Sequence, residues 1–416
     1  MAEDTAKGDG PRVLVVGSGE HAALPKRHFY HNTLTNTARR IGRPIDCSSI
    51  TDGARVTVFE QDASLEARPR DWNFGIYWAQ DPLAECLPEH LQKQVENSQV
   101  DGHKAGADEV MPIYNGESGE LLKAVPIPYN IRLARKKFLN LISTGIDIQY
   151  AKRLVKLSSD GKQATATFED GTTETGDLLI GAEGAHSPIR KFLVGPDKAA
   201  VTHLPLVASV TMAKLPAEAA LNFQAFARRL MVIFHPLGYF NWIGLHDAPE
   251  GSNPGEWTFM MIMSWIPDAI DYDVMDVQGD AILADLKRRA KDFSPDIRAL
   301  WESVPEGTKC WHNRMSYWIP EPWDNKNGTV TLVGDASHPM TFHRGQGLNN
   351  AIQDVALLAR QVKEHGFTAQ AINDYEQEMI PRATDAVTGS TANSLATHDW
   401  SKLMQSPLFT KGLSQK

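Results

Sequence analysis

Gly334-Asp335-Ala-Ser-His-Pro339 ends an apolar run, and six residues later comes Gly345-Gln-Gly347-Leu348-Asn349-Asn-Ala-Ile-x-Asp354. An aspartate at a strand end can take a sugar-alcohol hydroxyl. A glycine turn that opens a helix aims unpaired backbone N–H groups, and the positive end of the helix dipole, at whatever lies in front of it. A flavin suits such a place, because its N1–C2=O edge becomes anionic on reduction and a helix N-terminus favours that charge by about 0.3–2 kcal/mol.

Two further runs have related chemistry. Gly17-Ser-Gly19 follows the apolar stretch Arg12–Val16 and would let backbone N–H groups approach a pyrophosphate. Alone it is weak, since Ala22 stands where the third glycine of G-x-G-x-x-G belongs. Glu60 ends the next apolar stretch and suits the hydroxyls of an adenosine ribose. Its distance from Gly17 is about twice the usual spacing of roughly 20 residues, so residues 20–52 are an insertion or a remodelled first crossover. Mid-chain, Gly176-Asp-Leu-Leu-Ile-Gly181-Ala-Glu183-Gly184 leads to Ser187-x-x-Arg190, which also reads as a buried strand followed by a helix capped by Ser187.

Other reactive side chains carry less. His338 reads as a turn residue that packs or hydrogen-bonds rather than as a base. His21, His28 and His31 have no acidic partner or convincing helix, and no metal site is expected. Cys47, Cys86 and Cys310 lack ligand spacing and read as reduced thiols.

The elements that must position these residues follow from periodicity. Continuous apolar runs at 12–16, 55–60, 177–181 and 328–334 read as buried parallel strands. Asp160-Gly161 and Asp170-Gly171 mark hairpin turns among three strands over 152–180. A basic amphipathic helix is expected at about 131–143, with Ile131, Phe138, Leu139 and Ile142 on one side. Four strand-like runs, Leu206–Met212, Arg229–Phe234, Phe240–His246 and Trp257–Trp265, suggest an antiparallel sheet covered by a helix at about 280–293. A further helix starts near Gly347 with Leu348, Ala351, Ile352, Val355, Leu358 and Val362 at helical spacing. The last 50 residues read as helical, then loose.

With 416 residues, 42% hydrophobic and 22% charged, the chain has the balance of a globular protein with a large core. A formal net charge of −9 argues against a nucleic-acid partner, although Arg132, Arg135, Lys136 and Lys137 could meet a single dinucleotide. No apolar run reaches the length of a membrane span. The polar start, MAEDTAKGDG, lacks the order of a secretory signal, and the end is neither a lipidation box nor a peroxisomal tripeptide, so a cytoplasmic location is expected.

In order, the three motifs resemble those of the FAD-dependent aromatic hydroxylases, the class A flavoprotein monooxygenases with the p-hydroxybenzoate-hydroxylase fold. Arg135-x-x-Phe138-x-x-x-Ile142 is similar to that family's R-x-x-L-x-x-x-L helix, and Tyr375-Glu376 with Pro381-Arg382 to a segment after the last FAD helix. The resemblance spans about residues 11–385 and implies an α/β protein, α+β overall: a Rossmann-like FAD-binding domain (11–75, 126–200 and 320–390) interleaved with an antiparallel-sheet substrate domain (76–125 and 201–319), then a C-terminal tail (391–416).

By the same resemblance Gly17, Gly19 and Glu60 would hold the AMP half of FAD, and Arg135 would lie near the pyrophosphate. Asp335 would meet the ribityl or phosphate region. Gly345, Gly347, Leu348 and Asn349 would face the flavin ring. Gly181, Glu183 and Gly184 would serve FAD and a transient NADPH or NADH. Pro339 and Arg344 are the candidates beside the reacting ring, with Arg344 supporting the reduced flavin or else being a surface arginine.

The implied reaction is NAD(P)H-consuming hydroxylation or epoxidation, through a C4a-hydroperoxyflavin formed with O₂, of a mostly apolar aromatic or polyketide/alkaloid-like small molecule. Trp78, Phe234, Trp242 and Met261 are pocket candidates that read more readily as core. The alternatives are a flavoprotein dehydrogenase or cyclase without oxygen insertion, and a pseudoenzyme unable to hold FAD because residues 20–52 replace the first Rossmann helix. A halogenase is disfavoured, because only Tyr317-Trp-Ile-Pro320 stands where W-x-W-x-I-P would be needed.

Overall fold

A computed structural model describes residues 10–17, 54–67, 70–146, 148–267 and 279–413. Gly19, Cys47, the three early histidines and residues 20–52 lie outside them.

The apolar runs do form a parallel sheet. Its five strands lie in the order Val330–Leu332, Leu178–Gly181, Arg12–Val16, Arg55–Phe59, Ile148–Gln149. The three strands at one side of this order are buried almost throughout, as a sheet covered on both faces requires. One cover is the helix Gly347–His365, which packs Leu357, Leu358 and Val362 against Val13, Val15 and Ile180. Its other side, through Leu348, Ile352 and Val355, meets Phe138 and Leu83. Each fully buried side chain of this size contributes roughly 1.5–3 kcal/mol. The expected α/β class therefore holds.

The second layer is a seven-stranded sheet in the order Cys310–Tyr317, Thr202–Lys214, Thr258–Trp265, Tyr239–Asp247, Leu230–His235, Val110–Asn115, Leu121–Pro126. The four predicted runs fall on its central strands. It is not wholly antiparallel: Leu230–His235 and Val110–Asn115 run parallel. A small antiparallel pair, Asn73–Ile76 with Ile131–Ala134, forms a separate two-stranded sheet.

Three expectations are corrected. The helix expected from 131 begins only at Arg135, because Ile131–Ala134 pairs with Asn73–Ile76, Gly75 facing Arg132. The stretch 152–180 holds four strands, since Thr173–Gly176 turns away with the hairpin before Leu178–Gly181 enters the parallel sheet. The stretch after Thr397, read as loose, folds into Leu403–Gln405 and Pro407–Lys411. There Leu403, Leu408, Phe409 and Leu413 are buried against Phe234 and Phe240.

Glu376, on the long helix Ala369–Thr397, is buried under the parallel sheet and accepts from Thr331 Oγ1 (2.8 Å), Trp323 Nε1 (2.9 Å) and Asn325 Nδ2 (2.8 Å). Burial pushes its carboxyl up to about 7, against the pull of these hydrogen bonds. The native state therefore binds the proton more tightly than the unfolded chain. Its contribution to stability is present below the unfolded carboxyl range and is lost as pH rises from about 4.5 through 7. Denaturant unfolding of wild type and Glu376→Gln should thus show a difference that shifts in favour of the variant with rising pH across that window, by on the order of 2–3 kcal/mol. A difference that is flat with pH would contradict the assignment.

Candidate active site

Register fixes where the motifs meet. Val16 lies level with Gly181, and Gly181 with Leu332. The chain thus leaves all three strands at one edge of the sheet, at Gly17, Ala182 and Val333. Cross-links hold the exits: Gly17 N donates to Phe59 O (2.7 Å), Ala182 N to Val16 O (2.9 Å) and Val333 N to Gly181 O (2.9 Å). Glu60 sits beside them, buried, its Oε1 accepting from Asp62 N at 2.9 Å.

Gly17 has φ +101°, and a Cβ there would lie 2.6 Å from the carbonyl oxygen of Ala182. The first and middle motifs are therefore packed backbone to backbone. Glu183 is also committed locally, its Oε1 accepting from Ser187 Oγ (2.8 Å) and Ile189 N (2.9 Å). Burial raises its pKa against those bonds. Ser187 caps the helix Pro188–Val194 by accepting from Arg190 N, as its position in the sequence suggested. Gly184 has φ +89° and open space around it.

Arg190 ties the middle motif to the late one. Its buried guanidinium donates to Ala336 O (2.9 Å) and Ala199 O (3.0 Å) and stacks on Trp318. Burial draws its pKa down to about 10, against the pull of Glu183 and Asp335.

The late motif is held by a buried carboxylate. Asp354, on the helix Gly347–His365, accepts from Gly334 N (2.8 Å), lies 2.6 Å from His338 Nε2 and accepts from Arg382 Nη2 (2.9 Å). Burial works against its charge, but His338 and Arg382 more than offset that and hold the carboxyl well below the usual carboxylate range. His338 thus serves the turn, as the sequence reading had it.

In front of this scaffold lies a cavity of about 400 Å³. Of the predicted residues, Asp335, Arg344, Gly345, Gly347 and Leu348 line it. Gly347 opens the long helix, and a Cβ there would be 3.8 Å from Asp335 Oδ1. Gly345, with φ +61°, makes the turn, and a Cβ on it would stand 3.2 Å from the Tyr77 ring.

The remaining predicted residues are placed differently. Asn349 is buried, and it fastens the helix start to the Asn73–Ile76 strand by accepting from Tyr77 N (2.9 Å) and donating to Gly75 O (2.9 Å). Pro339 is not among the lining residues, and its carbonyl accepts from Trp318 N at 3.0 Å. Arg344 is buried rather than a surface side chain, with Nη2 3.3 Å from Gly412 O. Arg135 is buried, stacks on Trp72 at 4.4 Å and donates its backbone N–H to Trp72 O. Gly181 has no room for a side chain, its Cβ position lying 2.7 Å from Leu332.

The other wall comes from the seven-stranded sheet, with Trp242, Phe240, Met260 and Ile262. Trp242 is thus a pocket residue, whereas Phe234 and Met261 belong to the core. Sequence reasoning missed Asn73, Tyr77 and the position of Arg132. The one available signal was strand alternation: Ile131 and Leu133 alternate with Arg132 and Ala134, a period of two that the helical reading overrode. Among the described residues no group of three or more acidic, histidine or cysteine side chains could hold a metal, and no described helix is long and apolar enough to cross a membrane.

A dinucleotide fits these features. Gly17 brings backbone close to backbone at the strand ends, and Asp335 and the Gly347 helix start border the same cavity. Residues 301–390 match the family model described as "FAD binding domain". Over 98% of both chains, the sequence is 46% identical to the FAD-dependent monooxygenase cctM of Talaromyces islandicus. It is 35% identical to the FAD-dependent monooxygenase phnB of Penicillium herquei, covering 86% of this chain and 89% of that one. Among solved structures, Klebsiella pneumoniae HpxO complexed with FAD and uric acid has the same fold, with a TM-score of 0.74 at 17% identity, covering 99% of this chain and 95% of that one.

Replacing Gly17 by alanine should cost on the order of 1–3 kcal/mol in denaturant unfolding, because φ and the Ala182 carbonyl both oppose a Cβ. Gly184→Ala, strained but unobstructed, should cost less. Equal costs would mean that the packing of the two turns is unimportant.

Proposed function

This chain belongs to the FAD-dependent monooxygenase family, and we propose that it uses NADPH or NADH and O₂ to insert one oxygen atom into a mostly apolar, aromatic or polyketide/alkaloid-like small molecule. The observation that carries this reading is the cavity bordered at once by Asp335, by the Gly347 helix start and by the aromatic wall around Trp242. FAD, when bound, supplies the two-electron chemistry that activates oxygen.

The chain's own residues have the tasks of binding, orienting and excluding water. Gly17 and Glu60 would take the AMP half, Arg135 the pyrophosphate and Asp335 the ribityl region, while the backbone at Gly345–Leu348 would face the ring. In this reading the parallel sheet, with segments 11–75, 126–200 and 320–390, is the cofactor side. Segments 76–125 and 201–319 form the substrate side. Arg344, buried beside the same turn, would favour the negative charge that the flavin edge acquires on reduction. The dehydrogenase or cyclase alternative is not favoured, since the curated relatives named above are both monooxygenases. A cytoplasmic location accords with this use of a nicotinamide cofactor.

The test is oxygen incorporation. Holoenzyme supplied with NADPH or NADH under ¹⁸O₂ and a panel of aromatic compounds should yield a product carrying one ¹⁸O. Oxidised product without label would move the assignment to the dehydrogenase class. In the same preparation Arg344→Ala should lower the flavin midpoint potential by on the order of 30 mV, equivalent to about 1.4 kcal/mol for a two-electron couple. An unchanged potential would remove Arg344 from this role.

A further inference from the structure

Arg132 lies on the Ile131–Ala134 strand, paired opposite Gly75, and its side chain lines the cavity while being 4% exposed. Nε donates to Asn73 Oδ1 at 3.1 Å, Nη1 lies 3.4 Å from the Tyr77 hydroxyl, and the guanidinium stacks 4.7 Å from the centre of the Trp242 ring. These are all neutral groups. Nη2 has no protein acceptor among the described residues.

Three other buried guanidinium groups are compensated, whereas Arg344, on the same cavity, meets only the Gly412 carbonyl among the described residues. Arg229 pairs with Asp101 at 2.8 Å, Arg382 with Asp354 at 2.9 Å, and Arg190 is surrounded by backbone carbonyls. The cavity's own carboxylates are placed otherwise: Asp71 is 3.1 Å from His246 Nε2, and Asp335 stands beside the Gly347 helix start. A buried cation without a counter-charge is costly unless something supplies one. Burial accordingly depresses the pKa of Arg132, with only the Tyr77 phenol working the other way.

We propose that Arg132 is a specificity-determining residue whose missing counter-charge is an anionic oxygen of the substrate, a carboxylate or an ionised phenol or enol on a planar aromatic framework. The planarity follows from the surroundings, because Trp242 already stacks the guanidinium and Trp72, Phe240 and Trp311 border the same space. A planar guanidinium with free N–H groups matches an oxyanion lying in the plane of an aromatic ring. Asn73 and Tyr77 set the plane of the fork. The inference rests on the proposed function insofar as the ligand is the molecule to be oxygenated. It identifies that ligand's class independently of the flavin chemistry.

The test uses 2-naphthoate and its methyl ester as a charged and neutral pair, titrated calorimetrically near neutral pH into the protein loaded with FAD. FAD content is read separately by absorbance. If the chain takes up no FAD, the functional reading fails, and the same titration on the unloaded protein still tests Arg132.

Wild type should bind the acid at least about 10-fold more tightly than the ester. Arg132→Met should weaken the acid by roughly 10- to 100-fold and leave the affinities for ester and FAD unchanged. Arg132→Lys should recover part of the loss. Equal wild-type affinity for acid and ester, or no binding of the acid, would overturn the proposal. So would an Arg132→Met variant that loses both ligands equally or loses FAD, the latter placing the arginine on the cofactor's phosphates. If Arg132→Met does not fold, the wild-type preference and Arg132→Lys still decide.

Discussion

The Asp354 carboxylate holds the late motif in shape. It sits fully buried on the helix Gly347–His365 and accepts from the amide of Gly334, next to His338 and Arg382. Through it, the strand end that carries Asp335 is bound to the helix whose N-terminus lies on the other side of the same turn. Removing one member of such a buried charged cluster leaves the others uncompensated, a loss of about 3–5 kcal/mol in comparable cases. The N-terminus of that helix depends on this anchoring, since among the described residues no other ion pair holds the loop from Ser337 to Gly345. The loop otherwise rests on neutral contacts, such as His343 with Ser264 and Ser394.

From that anchor the site is assembled by close approach. Arg190 reaches from the middle motif to Ala336, and Gly17 is pressed against Ala182, so three segments far apart in sequence meet at one sheet edge. The second sheet then supplies an apolar wall. The two sides have different physics: backbone turns and small residues on one, aromatic and methionine side chains on the other. Arg132 and Tyr77 stand at the seam, on the small two-stranded sheet and the residue that follows it.

Much of this was readable in the sequence wherever the signal is local. Unbroken apolar runs such as Leu178–Gly181 can be satisfied only by burial on both faces, and glycines at their ends mark where the chain must turn tightly. The Gly347 helix announced itself by its period. What was not readable depends on partners distant along the chain. Ile131 fits a helical period with Phe138 and Ile142, and only its pairing with Ile76 shows it to be strand. Leu408 and Phe409 look like isolated apolar residues in a polar tail until Phe234 and Phe240 are there to cover them. That the Asn349 amide fastens Gly75 and Tyr77 likewise shows only once those partners are there in space. An aspartate on the apolar side of a helix, as at Asp354, was a visible anomaly whose meaning required His338 and Arg382 in space.

The central claim is that the helix start at Gly347, beside Asp335, is kept open for the flavin. Gly347 tests it cleanly, because a Cβ there meets only Asp335 Oδ1 at 3.8 Å and Met340 Cγ at 4.0 Å, which the fold can accept. Flavin fluorescence should follow saturable, near-stoichiometric uptake of FAD by the wild-type chain, and Gly347→Val should keep its unfolding midpoint while losing that uptake. A variant that folds and binds FAD as the wild type does would contradict the account.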